Sequence, residues 1–236
     1  MSMLKGLRRN QLMHRATWTG WAVLVGSLLT LGGCSKYTRS LDMVRADANA
    51  AYAAGRYAVA LADYQEYLDR KPGATDVRTR LGQTLLQLHR PAEAEVHFRA
   101  VYDVNPKDMN NARSLASAMI AGGRAGDGLD FFRTYLSQNP TSEGYFAMAE
   151  LAMQAGLPDD AERALLVAAR LDGQVSAEPH RRLARFYEDL GKEDLAIRRW
   201  RVVLHFNPAD DEAQSHLRML GQVPGPTFAL SPAEVD

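Results

Sequence analysis

Five stretches of this chain repeat one pattern, and a unit too short to bury its own apolar face has to stack on copies of itself. Pro72, Pro106 and Pro140 are spaced by 34 residues, Pro208 stands two further units on, and Gly173 lies near the position that lacks a proline. Aligned on Gly55, His89, Gly123, Gly156 and Gly191, the units follow one another at 34, 34, 33 and 35 residues. Seven before each of these come Ala48, Gly82, Ala116, Ala149 and Ala184, all small. One residue earlier stand Asp47, Leu81, Leu115, Met148 and Leu183, apolar in all but the first unit. Five after the aligned residue come Ala60, Ala94, Gly128, Ala161 and Ala196; nine after it come the large Tyr64, Phe98, Phe132, Leu165 and Trp200. Twelve after it come Tyr67, Val101, Tyr135, Ala168 and Val203.

Within each half-unit the apolar residues fall at i, i+3 and i+4, the stripe of an amphipathic helix. Small residues at fixed positions let two helices approach closely, and the bulky side chain fills the groove between them. Glycine ends the first helix by taking positive φ. Pro91 and Pro158 suit the first turn of a second helix, where a missing N–H costs little. The near-periodic prolines close the second helices, which they cannot continue. The expected units are 41–74, 75–108, 109–141, 142–176 and 177–208, each a helix pair. Ala213, Leu217 and Leu220 make a stripe for one more helix over 209–221, read as a cap because Arg218 occupies the small column. Residues 222–236, with Pro224 and Pro226, are expected to be extended.

These columns resemble the tetratricopeptide repeat, most closely in the second unit with Leu81, Gly82, Leu85, Ala94, Phe98 and Pro106. The resemblance covers 41–208 and implies an all-α fold, a right-handed superhelical solenoid of about five helix pairs. Three departures stand out: no unit has the family's tryptophan at the start of its first helix, His89 replaces a turn glycine, and Gly128 replaces an alanine.

Ahead of the repeats the chain runs from cationic to apolar to small. Lys5, Arg8, Arg9 and Arg15 precede an uncharged run, Ala16 to Ser35, whose most apolar part is Trp21 to Leu31. The layout is that of a secretory signal, 1–33; an uncleaved membrane anchor is the alternative, since about 20 residues suffice to span a bilayer. Leu31-Gly32-Gly33-Cys34 is similar to a bacterial lipobox, and Cys34 is the sole cysteine. That resemblance implies cleavage before Cys34 and lipidation of its thiol, with 34–40 as a short tether. Two or three acyl chains anchor a protein far more firmly than one. Ser35 in place of aspartate implies the periplasmic face of the outer membrane. Arg8-Arg9 is similar to a twin-arginine signal, but Gln11 departs from it.

Charge balances at 28 basic and 28 acidic side chains, yet residues 1–33 hold four bases and no acid, leaving the remainder at a formal −4. An acidic domain has no electrostatic reason to seek nucleic acid. A single cysteine allows neither an intrachain disulfide nor a thiolate cluster. His89, His97, His180, His205 and His216 form no HxxxH or HExxH spacing. Gly122 to Gly128 is glycine-rich but lacks the Gly-Lys-Ser/Thr ending of a phosphate loop. Asp159-Asp160 and Asp210-Asp211 suit helix starts. No catalytic residue, metal ligand, cofactor or small-molecule substrate is assigned.

The tetratricopeptide resemblance places a partner groove on the first helices. It falls on Arg45, Asn49 and Tyr52; Gln83 and Leu86; Arg113 and Ile120; Phe146, Glu150 and Met153; and Arg181 and Arg185. Tyr52, Leu86, Ile120, Phe146 and Met153 suggest an apolar strip rimmed by polar groups; the alternative is that some pack as core. Arg45 and Asn49 fit a carboxylate clamp, but Arg80 stands where that site has asparagine. Together, lipobox and repeats resemble the lipoproteins of tight-adherence pilus assembly and the pilotins of type IV pili. The expected function is a lipid-anchored, non-catalytic scaffold for envelope proteins in pilus, secretion or other outer-membrane assembly. An adaptor for peptidoglycan hydrolases or envelope proteases is the alternative, and a glycan-binding module or enzyme a further one.

Overall fold

The computed structural model describes residues 39–225 and 228–235, and among them every regular element is a helix. Five antiparallel pairs follow one another: Leu41–Ala53 (α1) with Tyr57–Arg70 (α2), Thr75–Gln87 (α3) with Pro91–Val104 (α4), Met109–Ala121 (α5) with Ala125–Gln138 (α6), Ser142–Gln154 (α7) with Pro158–Asp172 (α8), and Glu178–Asp189 (α9) with Glu193–Phe206 (α10). Asp211–Met219 (α11) comes last, before a single 3₁₀ turn at Pro232–Glu234.

Each first helix ends in the same turn. Gly55 N–H bonds to Tyr52 C=O at 3.0 Å and Arg56 N–H to Ala51 C=O at 2.8 Å, the reciprocal pair that closes a helix on a left-handed residue. The same two bonds recur at His89, Gly123, Gly156 and Gly191, and once more at Gly221 after α11. α11 is therefore the first helix of a sixth, incomplete unit. His89 holds φ at 56° where the other turns use glycine. Side-chain caps open four first helices: Ser40, Asp108, Thr141 and Asp210 each accept a backbone N–H of the first turn. Pro91 and Pro158 open α4 and α8, and α8 closes on Gly173 at φ 62°.

The small and large columns interlock in the core. Tyr64, Phe98, Phe132, Leu165 and Trp200 are buried, as are Ala60, Ala94, Ala161 and Ala196. A Cβ on Gly82 would stand 2.7 Å from the ring of Phe98, so the ring lies where a methyl would be. At Gly128 a Cβ would meet Ala116 C=O at 2.8 Å and Ile120 Cγ1 at 2.9 Å. α5 and α6 thus approach more closely than an alanine there permits.

Two details depart from expectation. Asp47 sits in an otherwise apolar column because, among the described residues, no helix precedes α1; Arg39 covers it instead. The Arg39 guanidinium bonds to Asp47 at 3.1 Å and to Asp63 and Glu66 at 2.6 Å each, while Arg70 holds Arg39 C=O at 2.8 Å. The bonds to Asp63 and Glu66 raise the Arg39 pKa above its ordinary value. The C-terminal tail expected to be extended is so only in part. Residues 222–225 have no regular structure, whereas 228–235 fold back on α10 and bury Pro232.

Gly128→Ala is expected to destabilise the chain by about 1–3 kcal/mol, the range for overpacking, because its nearest obstacle is a helix carbonyl that cannot yield alone. His89→Gly is expected to stabilise by at most about 1 kcal/mol, the left-handed penalty less the entropy of glycine. Urea denaturation followed by circular dichroism measures both, and a more stable Gly128→Ala would contradict the close-approach account.

Candidate functional site

The first helices present one face on which charged side chains link each unit to the next. On α1, Arg45 lies 3.8 Å from both Asp42 and Asp76 of α3. Asn49 Oδ1 accepts from Tyr64 Oη at 2.7 Å, and Gln83 accepts from Arg80 at 3.2 Å. From α5 onward the links are continuous. Arg113 pairs with Glu150 of α7 at 2.8 Å, and Glu150 lies 3.6 Å from Arg182 of α9. Arg182 also bonds Glu178 at 2.8 Å. Arg181 reaches Glu178 at 3.3 Å, Asp210 at 2.7 Å and Glu212 of α11 at 2.9 Å, and Arg185 pairs with Glu212. Burial lowers the Arg181 pKa, but Asp210, Glu178 and Glu212 outweigh it and leave the guanidinium above its ordinary value. Ser117 donates to Gln154 at 3.0 Å beside this row.

The apolar strip expected along this face is not continuous. Ile120 and Phe146 are 7% and 5% exposed, and both belong to the core. Ile120 is drawn inward because Gly128 leaves room for its Cγ1. Phe146 is roofed by the Arg182 guanidinium, 4.3 Å from the ring centre. Tyr52 is half-buried, edge-on to Tyr57 at 5.4 Å, and Leu86 is also half-buried. Met153 alone of the five is open, at 41%. The face is a row of ion pairs flanked by scattered apolar groups.

Arg182, Asp210 and Glu212 complete the row, and the sequence columns did not point to them. Arg182 and Glu212 share a column, nine before their turn glycines, that the family geometry does not single out. Glu212 falls into it only once Gly221 is recognised as a sixth turn.

Elsewhere the histidines serve packing. His216 stacks on Trp200 at 4.6 Å and faces Glu188 at 2.9 Å, while Trp200 Nε1 donates to the same carboxylate at 2.8 Å. His180 is buried beside Arg199. Burial lowers the His97 pKa. Among the described residues no three His, Cys, Asp or Glu side chains converge to hold a metal ion, and no helix is long and apolar enough to cross a membrane. Leu31, Gly32, Gly33 and Cys34 lie outside the described residues.

Residues 51–119 match the tetratricopeptide-repeat family, spanning the first and second aligned turns, Gly55 and His89. The fold is a tetratricopeptide-repeat solenoid. It is similar to a thermophilic TPR protein of Thermus thermophilus, with 20% identity over 77% of this chain and 98% of the other at a TM-score of 0.50. A tetratricopeptide-repeat protein of Parabacteroides merdae shares 16% identity over 76% and 72% at 0.51. PilW, a widely conserved type IV pilus biogenesis factor, shares 17% over 75% and 83% at 0.51. No curated protein sequence matches the chain. None of these comparisons indicates a catalytic family for the TPR solenoid.

The row divides energetically. Arg113 and Glu150 are each about half exposed, so Arg113→Ala is expected to cost less than about 1 kcal/mol, as exposed pairs do. Arg181 is less exposed and ties α9 to α11, so Arg181→Ala is expected to cost about 1–3 kcal/mol, the range for charge-assisted bonds partly withdrawn from water. Equal losses in thermal or urea unfolding would refute the division.

Proposed function

We propose that this chain is a non-catalytic scaffold that holds another polypeptide along its first-helix face. The observation that carries the reading is the row from Arg113 to Glu212. Its guanidinium and carboxylate groups come from four successive first helices and are bound chiefly to one another. The exposed pairs of the row, those of Arg113, Glu150 and Arg182, contribute little to folding, so a partner that supplies its own charges can replace them at small cost. A bidentate Arg–carboxylate contact also fixes the orientation of what it binds. Met153, Tyr52 and Leu86 give apolar contact beside the charges. The partner fitted by this face is a peptide or helix with charges of both signs and a few apolar side chains.

We further propose that the scaffold works in the bacterial envelope, lipid-anchored through Cys34 at the periplasmic face of the outer membrane. Support comes from the cationic-apolar-small order of residues 1–33 and from Leu31-Gly32-Gly33-Cys34. Assembly of a pilus or secretion complex is the named system, supported by the fold shared with PilW. The adaptor reading, with a hydrolase or protease as client, uses the same face and differs in the client alone.

Two measurements separate the halves of the proposal. Intact mass of the protein recovered from its native membrane is expected to show a chain beginning at a lipidated Cys34, and Cys34→Ala to release it from the lipid fraction. A mature product that keeps residues 1–33 would sink the anchor. Crosslinking in the native envelope, followed by mass spectrometry, is expected to capture a polypeptide whose yield drops about tenfold or more with Arg182→Glu and Met153→Glu together, since hot-spot losses exceed about 2 kcal/mol. Undiminished capture by that folded variant would remove the first-helix face from the argument.

A further inference from the structure

Eight residues after each turn stand Asp63, His97, Phe131, Ala164 and Arg199, a column on the side of the unit before. Four of the five carry a side chain that reaches into its surroundings. Asp63 meets Arg39 at 2.6 Å, Phe131 meets Tyr102 of α4 edge-on at 5.2 Å, and Arg199 lies 3.3 Å from His180. His97 is half-buried, with its Nδ1 shut off from solvent. Ala164 alone ends at a methyl.

The consequence lies where the third and fourth units meet. Tyr102 and Leu136 share another column, thirteen residues after the turn, on the side of the unit that follows. Between α4 and α6 the Tyr102 and Phe131 rings pack on the core that holds Ala112 and Leu115 of α5, both fully buried. Between α6 and α8 the same two positions hold Leu136 and Ala164, and a cavity of about 240 Å³ stands there instead of a ring pair. Tyr145 and Met148 of α7 line it in the columns of Ala112 and Leu115.

Size and chemistry narrow what fits. A cavity of 240 Å³ falls below the range of about 300–1,000 Å³ usual for small-molecule pockets and suits a single large side chain. Leu136, Met148 and Ala164 make it apolar. Arg133 and Arg163 flank it with side chains 54% and 71% exposed, each paired with an aspartate three residues earlier on its own helix, Asp130 and Asp160. The mouth is therefore neutral and asks for no charge on its occupant. Guanidinium groups beside an apolar slot favour a ring over an alkyl chain, because the face of an aromatic ring is electronegative. This chain covers its own rings in that way, with Arg182 4.3 Å from the centre of Phe146 and Arg201 4.6 Å from that of Phe228.

We propose that the cavity between α6 and α8 takes an uncharged aromatic side chain of a bound polypeptide, in the position that Phe131 fills one unit earlier. It shares no residue with the row from Arg113 to Glu212 and opens between second helices, so its occupation does not depend on the first-helix face.

The test titrates the full chain, held in phospholipid nanodiscs with isotope-labelled methionine methyl groups, with N-acetyl-phenylalaninamide, N-acetyl-leucinamide or decanoate. The Met148 methyl resonance is expected to shift with the phenylalanine derivative and to saturate in the millimolar range, as ligands of few atoms do, while that of Met43 stays in place. The leucine derivative is expected to bind about fivefold or more weakly, the loss of one ring–cation contact. Ala164→Phe, which supplies the ring from within, is expected to abolish the shift and raise the melting temperature. Arg133→Ala with Arg163→Ala is expected to weaken the phenylalanine derivative by about two- to fivefold and leave the leucine derivative unchanged. A Met148 resonance that does not move, an equal response to the leucine derivative, or a stronger one to decanoate would each overturn the proposal. Should Ala164→Phe lose helicity, the double arginine variant decides, since both side chains are exposed; undiminished affinity for the phenylalanine derivative then counts against the ring site.

Discussion

Everything in this array depends on a large side chain from each second helix lying against a small residue of the first. In the second unit Phe98 lies over Gly82, with the ring occupying the position a methyl would take. Burial of one such ring removes enough apolar surface to contribute about 1.5–3 kcal/mol. More important here, its size sets the distance between the paired axes. That distance then decides which groups on the outer face can meet. Where Gly128 replaces alanine, α6 closes on α5, Ile120 turns into the core, and the first-helix face loses an apolar group. One missing methyl on a second helix therefore alters the outer surface formed by the first helices.

Charge has a different task from the core. The pairs running from Arg113 to Glu212 join helices that do not follow directly in sequence, α5 to α7, α7 to α9 and α9 to α11. The pairs from α5 to α9 are too exposed to hold the stack together, whereas Arg181, less exposed, ties α9 to α11; elsewhere each second helix packs against two first helices. What they do is mark register along the face. Opposite charges meet at each junction, and a partner that lies along the row meets alternating sign instead of one broad potential.

Much of this was legible in the chain. The turn residues, small columns and large columns lie within one unit, and local periodicity reports what a unit does to itself. The outcome at Ile120 and Phe146 was not legible, because it depends on Gly128 and Arg182, residues on other helices. Arg182 and Glu212 escaped for a simpler reason: their column lies outside the family's groove positions, and α11 reads as a cap instead of as the first half of a sixth unit. Gly221 carried that signal. The folded part of the tail has one local signature, the Ser231–Glu234 capping box, which marks a turn but not what the turn packs against. Residues 222–236 read as proline-bearing coil, and only the reciprocal bonds between Arg201 and Phe228–Leu230 give part of it a place.

The two ends show how a linear array compensates for having no long-range contacts. Each unit touches only its neighbours, so a terminal unit receives half the support of an internal one. At the N-terminal end the exposed columns are made acidic and a single arginine, Arg39, is brought back over three carboxylates. Polar groups satisfied in this way offer little to an apolar surface. At the C-terminal end the columns remain apolar, with Leu204 and Leu217 buried; Trp200, His216 and Glu188 lock α11 in place, and peptide is laid over the remainder. Acid at an edge is a permanent closure, since no rearrangement makes it apolar. A covered apolar edge is closed only while its cover stays, so the two ends of the solenoid differ in kind and not merely in strength.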